Sequence, residues 1–475
     1  LTIAPKEAFL GKINGNQSQL SIQVMLKAFL NIAPNKQSDP GPRFPWQQLY
    51  KAGIGAWYEK HTFNRYWQQF KQNLPNTALV QQALKQYGYG VIETGQLDQQ
   101  TLNTLSAFQM HFLPWHITAK PDAKTSAAIF ALLDKYFPKK VAVLMMRYQA
   151  EKQVVRDYYT ALDSAADMLD AVGQYVASDY LWRGYHPFGE MTSLDDVIAK
   201  FWMPLKSSLT RLQRREDVFF AGKNVTDNND GTWVVSMGHL MGLFDALWLG
   251  IRPTRKMAFL RYAEFHRVEG GKICETAFYF DIPHLMIQAG QNPFPPQTGA
   301  HVVQPGPMLH DALLYDDAPV EEGQKTMAAI ESMIGDLGQW QLGLPLEKEL
   351  ARTWHDDMIW WGPAGIGATY TIERYAKQHS GPFRAAFKGR SKTNHIARVA
   401  EGHYGGFFGW PNFTARHAGG FMGMPGNSER LEFRVIDIYR RDGDKLIENW
   451  IFIDFLHVMH QQGLDVLGRM QGIEG

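Results

Sequence analysis

Apolar positions recur at two periods along this chain, and the period changes near residue 148. Between residues 77 and 137 they follow a helical spacing. The segment ALVQQALKQYGYG predicts a helix ended by Gly88 and Gly90. LDQQTLNTLSAFQMHF predicts a second, opened by Asp98 as a capping residue, with Leu102, Leu105, Phe108 and Phe112 on one face. AKTSAAIFALLDKY predicts a third. Residues 1–45 are loop-rich and end in Asp39-Pro40-Gly41-Pro42, a turn signal. Beyond residue 148 the helical stretches QVVRDYYTALDSAADMLDAV and KTMAAIESMIGDLGQW each lead into material with strand alternation. ARVAEGHYGGFFG, LEFRVIDIYRR and KLIENWIFID are β-branched, aromatic and alternating. Gly270-Gly271 and Gly443 sit where hairpins must reverse.

The later part of the chain repeats itself. Asp179-Tyr-Leu-Trp182-Arg-Gly184 matches Asp357-Met-Ile-Trp360-Trp-Gly362, and Pro204 matches Pro382 at the same offset of 178. Gly238-His239 is paired with Gly402-His403. GGKICETAFYFDIPHLMIQAG matches GDKLIENWIFIDFLHVMHQQG at an offset of 173, pairing Glu275 with Glu448, Asp281 with Asp454 and His284 with His457. A repeat this long predicts two copies of one α+β domain and is far too long for a solenoid. The expected organisation is a first segment at 1–60, a three-helix domain at 75–138, repeat domains at 146–300 and 326–475, and a Pro/Gly-rich linker at 301–325. The junction FPKKVAVLMMRYQ separates Gln-rich basic sequence from acidic, Trp-rich sequence. A gene fusion, with Met145 or Met146 as a former start, or an artefact of sequence assembly is expected there. Leu1 is not an initiator, and the true N-terminus and any signal peptide stay open.

Charge sharpens that division. Residues 1–140 carry a net of +8 and the remainder a net of −7, within a total of +1. A mildly basic module suits an anionic polymer such as the cell wall, although drift in a Gln/Lys-rich surface gives the same sign. Cys274 is the one cysteine, so no intrachain disulfide framework exists. No apolar run is long enough to span a membrane. No basic stripe with interleaved aromatics argues for nucleic acid.

Two resemblances follow from these residues. Ile32-Ala33-Pro34, Ser38-Asp39-Pro40-Gly41-Pro42-Arg43-Phe44-Pro45-Trp46 and Gly53-Ile54-Gly55-Ala56-Trp57, continuing through LVQQALKQYGYG and AFQMHF to LLDKYF, resemble zinc-dependent N-acetylmuramoyl-L-alanine amidases of the AmiD kind over residues 28–138. The resemblance implies a peptidoglycan-binding helical domain. The family's zinc uses two His and one acidic ligand. Here one ligand His falls at Phe29, the catalytic Lys at Gln37, and Asp39 alone matches, so no amidase activity is expected. VVRDYYTAL, DYLWRG and FHRVEGGKICETAFYFDIPHLMIQAG resemble SnoaL-like proteins, also described as NTF2-like or polyketide/ester-cyclase-like, over residues 148–475. That resemblance implies cone-shaped α+β domains, each a curved antiparallel sheet with helices around a pocket, and proton transfer without a cofactor. The cyclases' catalytic Asp falls at Phe278 and Ile451. Their supporting Gln and His fall at Tyr262 and Glu264, and at Val435 and Asp437. Their Asn falls at Trp182 and Trp360.

Strand alternation puts Tyr262, Glu264 and His266 on one face, and Val435, Asp437 and Tyr439 on the equivalent face. Glu264 and Asp437 are the first candidates for a general acid/base, with a pKa raised by a dry pocket. The competing reading is a structural ion pair with an Arg such as Arg261 or Arg434. His239 and His403 could share a proton with those carboxylates or be hydrogen-bonded core histidines. Asp281 and Asp454 are pocket candidates that also read as helix caps. Trp182, Trp360 and Trp361 wall a pocket or a core. His355-Asp356-Asp357 resembles a ligand run, but neighbours on a strand point opposite ways, and no metal is expected. The leading function is a SnoaL-like enzyme or binder for an apolar carbonyl, ester or polyketide-like small molecule, cofactor-free, with the two domains packed as an intrachain pseudo-dimer. A wall-binding scaffold and a residual amidase are the alternatives. Location stays open between a bacterial envelope or periplasm and a cytoplasm.

Overall fold

The computed structural model describes residues 42, 44–53, 55–72, 74–145, 147–164, 168–226, 228, 231–339, 344–427 and 429–471. The expectations placed on Phe29, Gln37 and Asp39 lie outside the described residues. The chain forms two compact units, Leu1–Arg147 and Tyr148–Gly475.

The first unit is helical. The three expected helices run Thr77–Tyr87, Gln99–Phe112 and Ala123–Tyr136, and their side-chain caps are Asn76, Asp98 and Asp122. Each cap accepts a backbone N–H three residues on, satisfying a donor the helix cannot. Gly88 closes the first at φ 120°, a conformation that favours glycine. Three helices go beyond the sequence reading: Trp46–Lys51, Lys60–Gln72 and Pro138–Met145. Lys60–Gln72 lays Tyr66 and Phe70 on Phe130 of Ala123–Tyr136. Two buried glutamines hold the interhelical loops. Gln81 Nε2 donates to Thr94, Gln96 and Thr101 while its Oε1 accepts from Gly95. Gln109 does the same for Thr118, Lys120 and Thr125, accepting from Thr118 and Ala119.

The second unit contains two sheets. The first, in the order β2-β1-β6-β5-β4-β3, uses Val176–Gly184 (β1), Gly189–Met191 (β2), Leu209–Lys223 (β3), Thr232–Phe244 (β4), Met257–Glu269 (β5) and Lys272–Phe280 (β6). The second uses Trp354–Trp361 (β7), Ala368–Tyr370 (β8), Phe387–Lys388 (β9), Ala397–Glu401 (β10), Tyr404–His417 (β11), Arg430–Asp442 (β12) and Lys445–Ile453 (β13). Its order is β8-β7-β13-β12-β11-β10, with β9 also on β11. In each, the first long strand pairs parallel with the last and the other pairings are antiparallel. Bulges within β3/β4 and between Gly409 and Phe413 bend both sheets. Each sheet carries a long helix (Gln149–Ser164 or Val320–Gln339) and a broken one, in which a π-helical turn (Ile198–Trp202 or Ala376–Ser380) leads into a Pro-initiated α-turn.

Faces turned away from these helices meet each other. Phe265 and Trp233 pack on Phe408, and Arg261 lies over the Phe452 ring at 3.9 Å. Lys152 of the first copy is buried between Asp317 and Glu401 of the second half, at 3.1 and 2.8 Å.

Candidate functional site

Along β12 the alternation turns Val435, Asp437 and Tyr439 into the interior of the second sheet. On β13 the register opposite them brings Ile453, Ile451 and Asn449. Trp354 and Trp360 of β7, Met333 and Leu337 of the long helix, and His379, Ser380 and Phe383 of the broken helix complete the wall with Arg390, His395 and Asn412. They line a cavity of about 100 Å³ that opens to solvent.

Asp437 is buried in this cavity. Its Oδ1 accepts from Asn449 Nδ2 at 2.9 Å. Burial raises its pKa to about 7. Hydrogen bonds from Asn449 and Tyr439 and the charges of Arg390 and Arg261 oppose the rise without cancelling it. A carboxyl poised there exists in both protonation states at neutrality. Two imidazoles are held neutral nearby. His379, stacked on Trp360 at 4.0 Å, is pushed down to about 3 by burial and then by Arg384. His395, stacked on Phe407 at 3.8 Å, is pushed equally far by burial, Arg398 and Arg390.

The first sheet treats the same positions differently. Glu264 stands at the place of Asp437, with Phe278 opposite it as Ile451 is opposite Asp437. Its Oε2 accepts from Arg214 Nη1 and from the Tyr159 hydroxyl, both at 2.6 Å, and His266 Nε2 lies 3.6 Å away. Burial alone would raise this carboxyl. The Arg214 guanidinium outweighs it, helped by His266 and Tyr159, and holds the pKa at about 2. The expectation of a raised Glu264 is therefore corrected, and an ion pair forms with Arg214 rather than with Arg261 or Arg434. Arg214 lies over Tyr159 at 3.8 Å and Tyr262 at 4.7 Å. Bulk fills the rest. Tyr262, Phe278, Phe280 and Trp202 occupy the places where the second copy has Val435, Ile451, Ile453 and Ser380. Trp202 stacks on Phe278 at 5.6 Å, and Trp182 packs among Phe188, Phe201 and Phe278.

The remaining candidates lie elsewhere. His239 pairs with Arg261 in mid-strand, on the face away from Glu264, with Nδ1 3.4 Å from Asp217. His403 is in the β10–β11 turn after Gly402 at φ +57°, its Nδ1 3.2 Å from the Arg441 carbonyl oxygen. The register thus separates two residues that a shared Gly-His dipeptide had paired, and neither reaches the carboxylate assigned to it. Asp281 and Asp454 are helix caps with a second task. One oxygen of each accepts from His284 N or His457 N. The other crosses to the opposite copy, accepting from Ala364 N at 3.0 Å or His186 N at 2.9 Å. Neither lines the cavity. Burial holds Asp454 at about 7. His266 bridges Tyr159 and Thr276, each at 2.9 Å. Sequence reasoning missed Arg214, Arg390, His379, His395 and Asn449. Only Asn449 left a signal, a polar residue in step with Ile451 and Ile453. Among the described residues no group of three or more His, Cys, Asp or Glu could hold a metal, and no helix is long and apolar enough to cross a membrane.

A family model described as SnoaL-like domain matches residues 155–276, and one described as SnoaL-like polyketide cyclase matches residues 410–462. Over 110 residues the chain is 41% identical to N-acetylmuramoyl-L-alanine amidase AmiD of Escherichia coli, covering 23% of this chain and 40% of that protein. The chain therefore spans well under half the length of that curated relative. Among solved structures, AmpDh3 of Pseudomonas aeruginosa is 34% identical, covering 28% of this chain and 59% of its own, with a TM-score of 0.22. An NTF2-like protein of Burkholderia thailandensis is 24% identical, covering 30% and 96%, with a TM-score of 0.23. The chain is a mixed α+β protein in which SnoaL-like sequence follows an amidase-like helical segment.

Proposed function

We propose that the second sheet forms a small-molecule site in which Asp437 is the general acid/base, acting without a cofactor on an apolar carbonyl, ester or polyketide-like ligand. The observation that carries this is a buried carboxyl titrating near neutrality inside an aromatic-walled cavity. Asn449 fixes one carboxyl oxygen. The other can take a proton from carbon beside a ligand carbonyl and return it elsewhere on the same molecule, leaving the protein unchanged. In this reading the unit holds two tandem NTF2-like cones packed as an intrachain pseudo-dimer, and the first cone is a filled, non-catalytic partner. Its carboxylate is spent on Arg214, and aromatic side chains stand where a ligand would lie.

The test is a thermal-shift screen of the full chain against aromatic polyketides, lactones and epoxides, with turnover followed for hits. Asp437→Asn should abolish turnover and keep ligand binding, whereas a folded Glu264→Gln should keep both. Turnover that survives Asp437→Asn refutes the assignment.

A second reading concerns the helical unit, and the identity to AmiD favours it. Residues 75–138 would act as a three-helix peptidoglycan-binding module carrying the cones to the wall. The amidase zinc-ligand positions lie outside the described residues, and no zinc chemistry is assigned to this chain. Retention of the full chain on purified peptidoglycan tests the wall reading, and its absence at low salt removes it.

A further inference from the structure

The two broken helices carry their π-helical turns at matching places. The turn reads Ile198-Ala-Lys-Phe201-Trp202 beside the first sheet and Ala376-Lys-Gln-His379-Ser380 beside the second, so His379 stands where Phe201 stands. Each ring packs on the tryptophan of the first long strand, Phe201 on Trp182 at 5.4 Å and His379 on Trp360 at 4.0 Å. Packing there needs only an aromatic ring, and phenylalanine supplies it beside the first sheet. Histidine brings two ring nitrogens to the same place. His379 is 8% exposed, and its Nδ1 has no hydrogen-bond partner among the described residues. A buried polar atom left unpaired is costly. The other imidazole of the wall is engaged by the protein itself, His395 Nδ1 accepting from Arg398 Nε at 3.3 Å. His379 lines the same cavity as Asp437. Burial and then Arg384 hold its pKa at about 3, so at neutrality it is an uncharged ring with one N–H.

We infer that His379 is the ligand's hydrogen-bond donor in the second-sheet cavity, its ring N–H held to the ligand's carbonyl oxygen while Asp437 faces the carbon beside that carbonyl. This rests on the reading of the cavity as a ligand site and adds a contact to it. When Asp437 takes a proton from that carbon, the C–H electron pair moves toward the carbonyl and negative charge gathers on its oxygen. The imidazole N–H meets that charge, which disperses when Asp437 returns the proton to carbon. A neutral imidazole suits this task because it stabilises the oxygen without giving up its own proton. Beside the first sheet the donor is replaced by Phe201 and the carboxylate is ion-paired to Arg214, so both halves of the pair are lost together.

The test uses the full chain and two probes of one shape, acetophenone and α-methylstyrene, in which a CH2 group replaces the carbonyl oxygen. Dissociation constants are measured at pH 7 in the wild type and in His379→Phe, which introduces the residue found beside the first sheet. Loss of the donor should lower the preference for acetophenone over α-methylstyrene by about three- to tenfold, with α-methylstyrene bound as well as before. The carbonyl stretch of bound acetophenone should lie below its value in hexane in the wild type and move back toward it in His379→Phe. Ile451→Phe, which fills the cavity, should abolish binding of both probes. A preference unchanged in His379→Phe, with binding that Ile451→Phe abolishes, overturns the inference and leaves the cavity a ligand site. Binding that Ile451→Phe leaves intact puts the probes outside the cavity and overturns it as well. A wild-type stretch at the hexane value overturns it without any variant, which decides the case where His379→Phe does not fold. Binding of neither probe overturns it and counts against the cavity reading itself.

Discussion

Asp437→Asn should make this protein more stable at pH 8 and leave it nearly unchanged at pH 4. The carboxyl is buried with its pKa raised from 3.8 to about 7. Below pH ~4 it is protonated in both the folded and unfolded chains and contributes nothing to the difference. Between about pH 4 and 7 the unfolded chain has released its proton and the folded chain has not, so stability falls as pH rises. Above pH 7 the loss is complete. The rise from 3.8 to about 7 corresponds to about 4 kcal/mol, an upper bound for a site that can relax. Asparagine keeps the shape and can still accept from Asn449, so the substitution removes the titration and little else. Asp454, raised in the same direction, is present in both proteins and cancels from the comparison. Urea unfolding of both proteins from pH 4 to 8 gives the difference directly. A gap that grows with pH toward a few kcal/mol and levels off above pH 7 is the expected result. A constant gap, or one that shrinks with pH, would refute the claim that Asp437 is a buried acid held near neutrality, and with it the proposed chemistry.

Arg214→Met should cost about 3–5 kcal/mol, because it strands Glu264 as a buried charge, and Arg214→Met/Glu264→Leu should recover much of that in urea unfolding. Ile451→Phe should fold with a penalty of about 1–3 kcal/mol by thermal melting while losing ligand-induced stabilisation, since the cavity has the space that Phe278 fills beside the first sheet. Gln109→Ala should destabilise the helical unit by a few kcal/mol, read as faster amide exchange at Thr118 and Ala119, whose N–H groups lose their acceptor. Asp281→Ala should lower the melting temperature of the Tyr148–Gly475 unit, because it removes a cap at His284 and a tether to Ala364 together.

The amino-acid sequence carried a good deal of this. Helical periodicity located the three helices and Asp98 marked the start of the second, since those signals are local; the caps Asn76 and Asp122 came from the structure. Strand alternation put Val435, Asp437 and Tyr439 on one face because period two is fixed by the pleat. The long internal match predicted two copies of one domain and said nothing of strand order, which the pairings of each sheet set. Helix Lys60–Gln72 escaped notice because its aromatics read as scattered until Phe130 gathers them. His239 and His403 looked equivalent because a dipeptide match carries no information about register.

What the sequence determined by itself, then, was the strongly periodic elements and which side chains share a face, both consequences of backbone geometry. It placed Glu264 and Asp437 at matching positions and had no means of telling them apart. Their difference was decided by tertiary structure alone. Arg214, 50 residues before Glu264 and on another strand, reaches one carboxylate and pulls its pKa down. Asp437 meets an amide, a phenol and an aromatic-walled cavity, and its pKa rises. Ionisation responds to the charges and dielectric within a few ångströms, and those neighbours come from chain segments that only the folded protein brings together.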